Sequence, residues 1–136
     1  MKATRYGIYR PTRLRYEDAI PKVTEALKAE GFGVLTTIDV AETLKNKIGV
    51  TDFPRYIILG ACNPQLANQA LRAEAGIGLL LPCNVVVTEE KDGSTTVAAQ
   101  DPVVLFEKMV EAPGVGALAQ DARARLTRAL EKVASG

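Results

Sequence analysis

The sequence predicts a domain that mixes α and β structure, and three observations carry that prediction. Short apolar runs of strand length, Tyr56–Leu59 and Val85–Thr88, alternate with segments in which apolar residues recur at helical spacing, as Tyr16, Ile20, Val23 and Leu27 do. Two pairs of a capping residue followed by proline, Asn63-Pro64 and Asp101-Pro102, mark helix starts directly after strand-like runs. An Asp92-Gly93 pair between Val85–Thr88 and Thr95–Val97 marks a hairpin. Strands and helices are too intermixed for an all-α or all-β fold, and 136 residues with 47% hydrophobic content suit a single α+β domain spanning 1–136.

Taken in order, Thr4–Tyr9 is aromatic and β-favouring and predicts a first strand. The helical stripe beginning at Tyr16 follows, with Asp18 as N-cap, Pro21 in the first turn and Gly31 as the stop. Gly33–Ile38 predicts a second strand. Asp39 with Glu42 three residues on reads as a capping box opening a short helix that ends at Gly49. Tyr56–Leu59 has no polar alternation and is expected to be a central strand, with a sharp turn at Gly60. A helix runs from Pro64 until just before Gly76, and the hairpin around Asp92-Gly93 comes next. Asp101-Pro102 opens a helix stopped by Pro113-Gly114, and Val115, Leu118, Ala122, Leu126, Ala129 and Val133 form the stripe of the last one.

Composition removes several function classes. Seventeen basic against sixteen acidic residues leave a net charge of +1, which provides no broad field for nucleic acid or an anionic membrane. The Arg5, Arg10, Arg13, Arg15 group and the Arg123, Arg125, Arg128 group read as solvated charge, because 5% aromatic content leaves little for base stacking. The apolar run Ile77–Leu81 is too short to cross a bilayer and ends at Pro82. With no histidine, imidazole-based catalytic triads are excluded and zinc loses its usual nitrogen ligand. Two cysteines and no apolar leader after Met1 point to a cytoplasmic protein rather than a disulfide-stapled secreted one.

The chemistry-bearing residues are Cys62, Asn63, Cys83 and Asn84, which stand in near-mirrored phrases, Gly60-Ala61-Cys62-Asn63-Pro64 and Leu81-Pro82-Cys83-Asn84. A strand feeding a capped helix sets backbone amides and the positive helix end beside Cys62, which favours thiol ionisation or an anion. If the strand carrying Cys83 neighbours the one delivering Cys62, the thiols share a site. Against this stands simple packing: a free cysteine is commonly a small buried hydrophobe, and Cys83 alternates with Val85 and Val87 on a core-like face. The match of Gly114-Val115-Gly116-Ala117-Leu118-Ala119 to a dinucleotide fingerprint is rejected, since no strand precedes it.

The two cysteine phrases, with Ala67, Ala70-Leu71, Leu80, Val85-Val86-Val87, Asp92-Gly93, Gly31-Phe32-Gly33-Val34-Leu35 and Asp101-Pro102, resemble the family called domain of unknown function 302. The likeness covers Tyr6 to Phe106, with the segment from Val115 lying beyond it. It implies a two-layer α+β sandwich, helices on one face of a mixed, largely antiparallel sheet, associating as homodimers. It assigns no activity and no role to either cysteine.

The leading expectation is a homodimeric binding module whose pocket, near the start of the Pro64 helix, is lined by Cys62, Asn63, Cys83 and Asn84. Its occupant would be a small anionic ligand or a soft metal such as Cu(I). The alternatives are a thiol redox or thiol-transfer enzyme, with Cys62 as nucleophile and Cys83 as resolving thiol, and a structural dimerisation domain with both cysteines in its core. The dimer expectation rests on Val103, Val104, Leu105, Phe106, Met109 and Val110, which cover more than one helix face.

Overall fold

The computed structural model describes residues 1–107 and 109–136. Among them, five strands form one open sheet: β1 (Gly7–Thr12), β2 (Gly33–Asp39), β3 (Tyr56–Cys62), β4 (Cys83–Glu89) and β5 (Thr95–Gln100). Their spatial order is β1-β5-β4-β3-β2, and every pairing is antiparallel, so the sheet expected to be mixed has no parallel member. The helices are α1 (Tyr16–Ala29), α2 (Val40–Ile48), α3 (Pro64–Ala73), α4 (Pro102–Glu107) and α5 (Val115–Ala134), with a short 3₁₀ helix at Ala75–Leu80. This is the α+β architecture that the sequence pattern predicts.

The register explains the core. Ile57 faces Val87, Leu59 faces Val85, and on the other side of β4 Val85 faces Ala99 and Val87 faces Val97. These side chains form one row, onto which α1 sets Ala19, Val23 and Leu27 and α5 sets Leu126, Ala129, Leu130 and Val133. Full burial of each large apolar side chain contributes roughly 1.5–3 kcal/mol, and this row holds the two layers together. β3 and β4 are interior neighbours, as their uninterrupted apolar runs require.

Local signals set the element ends. Asp39 Oδ1 accepts the Glu42 amide at 3.0 Å, and α2 closes on Gly49, whose φ of 73° is left-handed. Asp101 Oδ1 accepts the Val103 amide at 3.0 Å, while its other oxygen meets Arg123 Nε of α5 at 3.2 Å. The N-terminus of α4 is thereby tied to the long helix.

Several sequence expectations are corrected. The first strand begins at Gly7 rather than Thr4, and it tolerates Pro11 because β1 is an edge strand. The N-cap of α1 is Arg15 rather than Asp18, because the Asp18 and Ala19 amides both bond the Arg15 carbonyl and the Asp18 side chain takes Arg15 Nε at 2.9 Å. Pro21 therefore lies inside the helix on its exposed side, where the buried face of Ala19, Val23, Ala26 and Leu27 outweighs its cost. Gly60 makes no turn, since β3 runs straight through it to Cys62. The helix at Pro102 ends at Glu107, well before Pro113. The apolar surplus of α4 and the segment after it is absorbed internally: Phe106 and Val110 are buried with Ala70, Ile77, Val115 and Ala119, and Val103 and Leu105 pack on that cluster. Among these residues Met109 alone is largely exposed, so this surplus calls for no partner and gives no ground for a dimer, which leaves the family resemblance as the ground for that expectation.

Candidate functional site

β3 and β4 run antiparallel with Ala61 opposite Cys83, so the end of one strand and the start of the other lie side by side. That adjacency gathers both cysteine phrases at one edge of the fold. Beyond the strand ends, α3, the 3₁₀ helix, α4 and the first turns of α5 enclose a cavity of about 360 Å³. Cys62, Asn63 and Cys83 line it with Phe32, Leu66, Ala70, Ile77, Phe106, Val115 and Ala119. Three of the four residues singled out in the sequence are brought together. Asn84, the fourth, is exposed and lines a hollow of about 480 Å³ beside Tyr9, Tyr56 and Val86. Strand alternation sends it there: Asn84 shares its face with Val86, away from the row of Cys83 and Val85.

The two thiols occupy different environments. Cys83 is 7% exposed and belongs to the main core with Ala61 and Val85, whereas Cys62, one position past Ala61, falls in the opposite alternation row and is half-buried. Burial pushes the Cys83 thiol from 9.0 up to about 11; the Gln100 amide opposes that rise and nearby Cys62 adds to it. Gln100 Nε2 is buried with no partner at hydrogen-bonding geometry, so its influence on Cys83 is that of a close dipole rather than a formed bond. Cys83 thus keeps its proton at neutral pH and is a weak nucleophile for disulfide exchange. No group of three or more Cys, Asp or Glu side chains among the described residues could hold a metal ion.

The amides that could have held an anion are largely committed to the helix itself. Pro64 has no N–H, the Leu66 amide donates to Asn63 Oδ1 at 3.1 Å, and the Ala67 amide donates to the Asn63 carbonyl at 2.9 Å. Asn63, 7% exposed, acts as the cap that its sequence position implies. Among the described residues, the first-turn amide left without an acceptor is that of Gln65.

The mouth of the cavity is built by an irregularity in β2. Gly33 pairs Cys62 and Val34 pairs Ala61, but Thr36 pairs Gly60, which leaves Leu35 as an extra residue. A bulge of this kind re-aims side chains. Leu35 is 70% exposed yet lines the cavity, and Thr36, Leu71 and Gly78 share the rim. Gly60 makes the arrangement possible: a Cβ there would collide with Thr36 Oγ1 and come within 3.0 Å of Pro82 Cγ. The glycine in the first cysteine phrase serves close packing between strands. Leu35, Thr36, Ile77, Phe106 and Ala119 were not foreseen as site residues, since a bulge and a cavity between distant helices leave no periodic mark in the sequence.

The family model for "Domain of unknown function DUF302" matches residues 8–133. The chain belongs to that family. The match reaches through α5, so the segment from Val115, read from the sequence as lying beyond the likeness, is part of the family's domain. A solved structure, described as the crystal structure of uncharacterized conserved protein DUF302 from Bacillus stearothermophilus, is similar to this chain at 32% identity with a TM-score of 0.87. The similarity covers 96% of this chain and 99% of that one, and it includes the whole α+β architecture. A search of the curated proteins found no match. Among the described residues of this DUF302 protein, no helix is long and apolar enough to cross a membrane.

Proposed function

We propose that this DUF302 protein is a small-ligand binding module whose site is the cavity bounded by Cys62, Asn63 and Cys83. One observation carries the reading: a hollow of about 360 Å³ opens at the junction of sheet and helices, lined almost wholly by apolar side chains. Volume, concavity and lining match those of small-molecule sites. The ligand class favoured is a predominantly apolar molecule rather than the anion or soft metal expected from sequence, because the lining is almost wholly apolar and the Leu66 and Ala67 amides are engaged in capping. The thiol redox reading loses support because Cys83 holds its proton, and a resolving thiol must ionise and face its partner. The purely structural reading fits Cys83, which is a core residue, but leaves the half-buried Cys62 and the cavity without a purpose.

The test uses the neutral fluorophore N-phenylnaphthylamine. Saturable one-to-one binding is expected in the wild type. Ala119→Trp, which fills the cavity from a buried position on α5, should abolish binding while the protein still unfolds cooperatively. Undiminished binding by a folded Ala119→Trp protein, or no saturable binding by the wild type, overturns the reading.

A further inference from the structure

The cavity has a chemical polarity as well as a shape. Among the described residues that line it there is no Lys, Arg, Asp or Glu. Of the first-turn amides of α3, those of Leu66 and Ala67 are engaged by Asn63, and Pro64 has no N–H to offer. A carboxylate or phosphate drawn into this space would leave water without gaining a counter-charge from these residues, which is among the most costly transfers in protein chemistry. The behaviour of Cys83 points the same way, since burial beside the cavity penalises its charged form.

Uncharged polar residues are nevertheless present, and the least buried of them are Thr36 and Cys62. Thr36 and Cys62 belong to the same alternation row, because Thr36 pairs Gly60 and Cys62 lies two residues further along β3. The missing side chain of Gly60 lets the Thr36 hydroxyl lie across β3 toward Pro82. Thr36 is exposed and Cys62 half-buried, so these two residues line the solvent-accessible side of the cavity. The far wall consists of Ile77, Phe106 and Val115, all buried and wholly apolar.

Resting on the binding function proposed above, we propose that the cavity selects an uncharged amphiphile: its hydroxyl or carbonyl end meets Thr36 and Cys62 at the mouth, and its hydrocarbon end lies among Ile77, Phe106 and Val115. The class is a medium-chain alcohol or its aldehyde or ester equivalent, with the corresponding carboxylate excluded. Thr36 can donate to or accept from such an end group, and Cys62 can donate weakly, so both alcohol and carbonyl are served.

Competition against N-phenylnaphthylamine separates octanol from octanoate. In the wild type at neutral pH, octanol should displace the probe at a concentration at least about tenfold lower than octanoate does, the ion having no paired site. Octanoate should approach octanol as the pH falls through the carboxylic-acid range of about 4 and the neutral acid forms. Thr36→Val should weaken octanol several-fold while leaving displacement by octane unchanged, a split that damage to the fold would not produce. Equal displacement by octanol and octanoate at neutral pH, or a Thr36→Val variant that affects octane and octanol alike, overturns the selectivity while probe binding keeps the cavity reading intact. Failure of the probe itself to bind overturns both.

Discussion

The protein has two apolar clusters that share one helix, and they are built to different standards. The C-terminal half of α5 puts Leu126, Ala129, Leu130 and Val133 on the sheet, where they meet Val85, Val87 and Val97 in a row that is essentially closed to solvent. Its first turns put Val115 and Ala119 against Ala70, Ile77, Phe106 and Val110, a smaller group that surrounds a hollow instead of filling it. Close packing is the default state of protein interiors, so an apolar cluster that stops short of it stores a space. The first cluster secures the fold, and the second shapes a site on its margin. Leu35, at the bulge, lines that hollow while 70% exposed, which marks its open side.

The largest effect expected from this difference is in truncation. Leu126→Ala in the closed cluster should cost about 4 kcal/mol by urea denaturation, near the top of the range for buried leucine, because its surroundings cannot collapse. Ile77→Ala should cost about 2 kcal/mol, since the volume it vacates merges with a hollow already present. Equal costs would mean that the two clusters are packed alike.

Much of this architecture was legible in the sequence, and the reason is local. Asp39 with Glu42, Asn63 with Pro64 and Asp92 with Gly93 act within a few residues of themselves, so their chemistry can be read without knowing the fold. The continuous apolar runs of β3 and β4 likewise announced two interior strands. The site was half legible: the paired cysteine phrases marked the correct corner, but the phrase-by-phrase view could not show that alternation sends Asn84 to the opposite face of the sheet from Cys83. Gly60 was misread because a glycine needed for close strand packing and one needed for a turn look the same in one dimension. Leu35 and the far wall of the cavity depend on register and on helices far apart in sequence, which no local pattern encodes.

The next effect concerns pH. The Cys83 thiol keeps its proton up to about 11 in the folded protein, against 9.0 for an ordinary thiol. Its contribution to stability is therefore intact below 9.0 and is lost as the pH rises toward about 11, by roughly 2–3 kcal/mol in all. Tyr16 and Tyr56 are also raised by burial, so the useful readout is the difference between wild type and Cys83→Ala, whose alkaline loss of stability should be shallower. Identical alkaline profiles would place Cys83 outside the closed cluster.

Smaller effects separate the two thiols at neutral pH. Cys83→Ser sets a hydroxyl among Ala61 and Val85 and should cost about 1–3 kcal/mol, whereas Cys62→Ser at the mouth should cost less than about 1 kcal/mol. Iodoacetamide should label Cys62 well before Cys83 in the native protein, with both labelled after denaturation. Equal native labelling would show that the cavity edge is no more open than the core. Asn63→Ala removes the α3 cap and should cost about 1 kcal/mol, seen as a lower urea midpoint.

The claim that the second cluster encloses an apolar binding space is tested most directly by diffraction from a crystal pressurised with xenon, which enters apolar hollows and avoids hydrated ones. A xenon peak among Ile77, Phe106, Val115 and Ala119, absent from Ala119→Trp crystals, is the expected result. Ordered water hydrogen-bonded across that space, with no xenon in it, would contradict the assignment of the cavity to an apolar ligand.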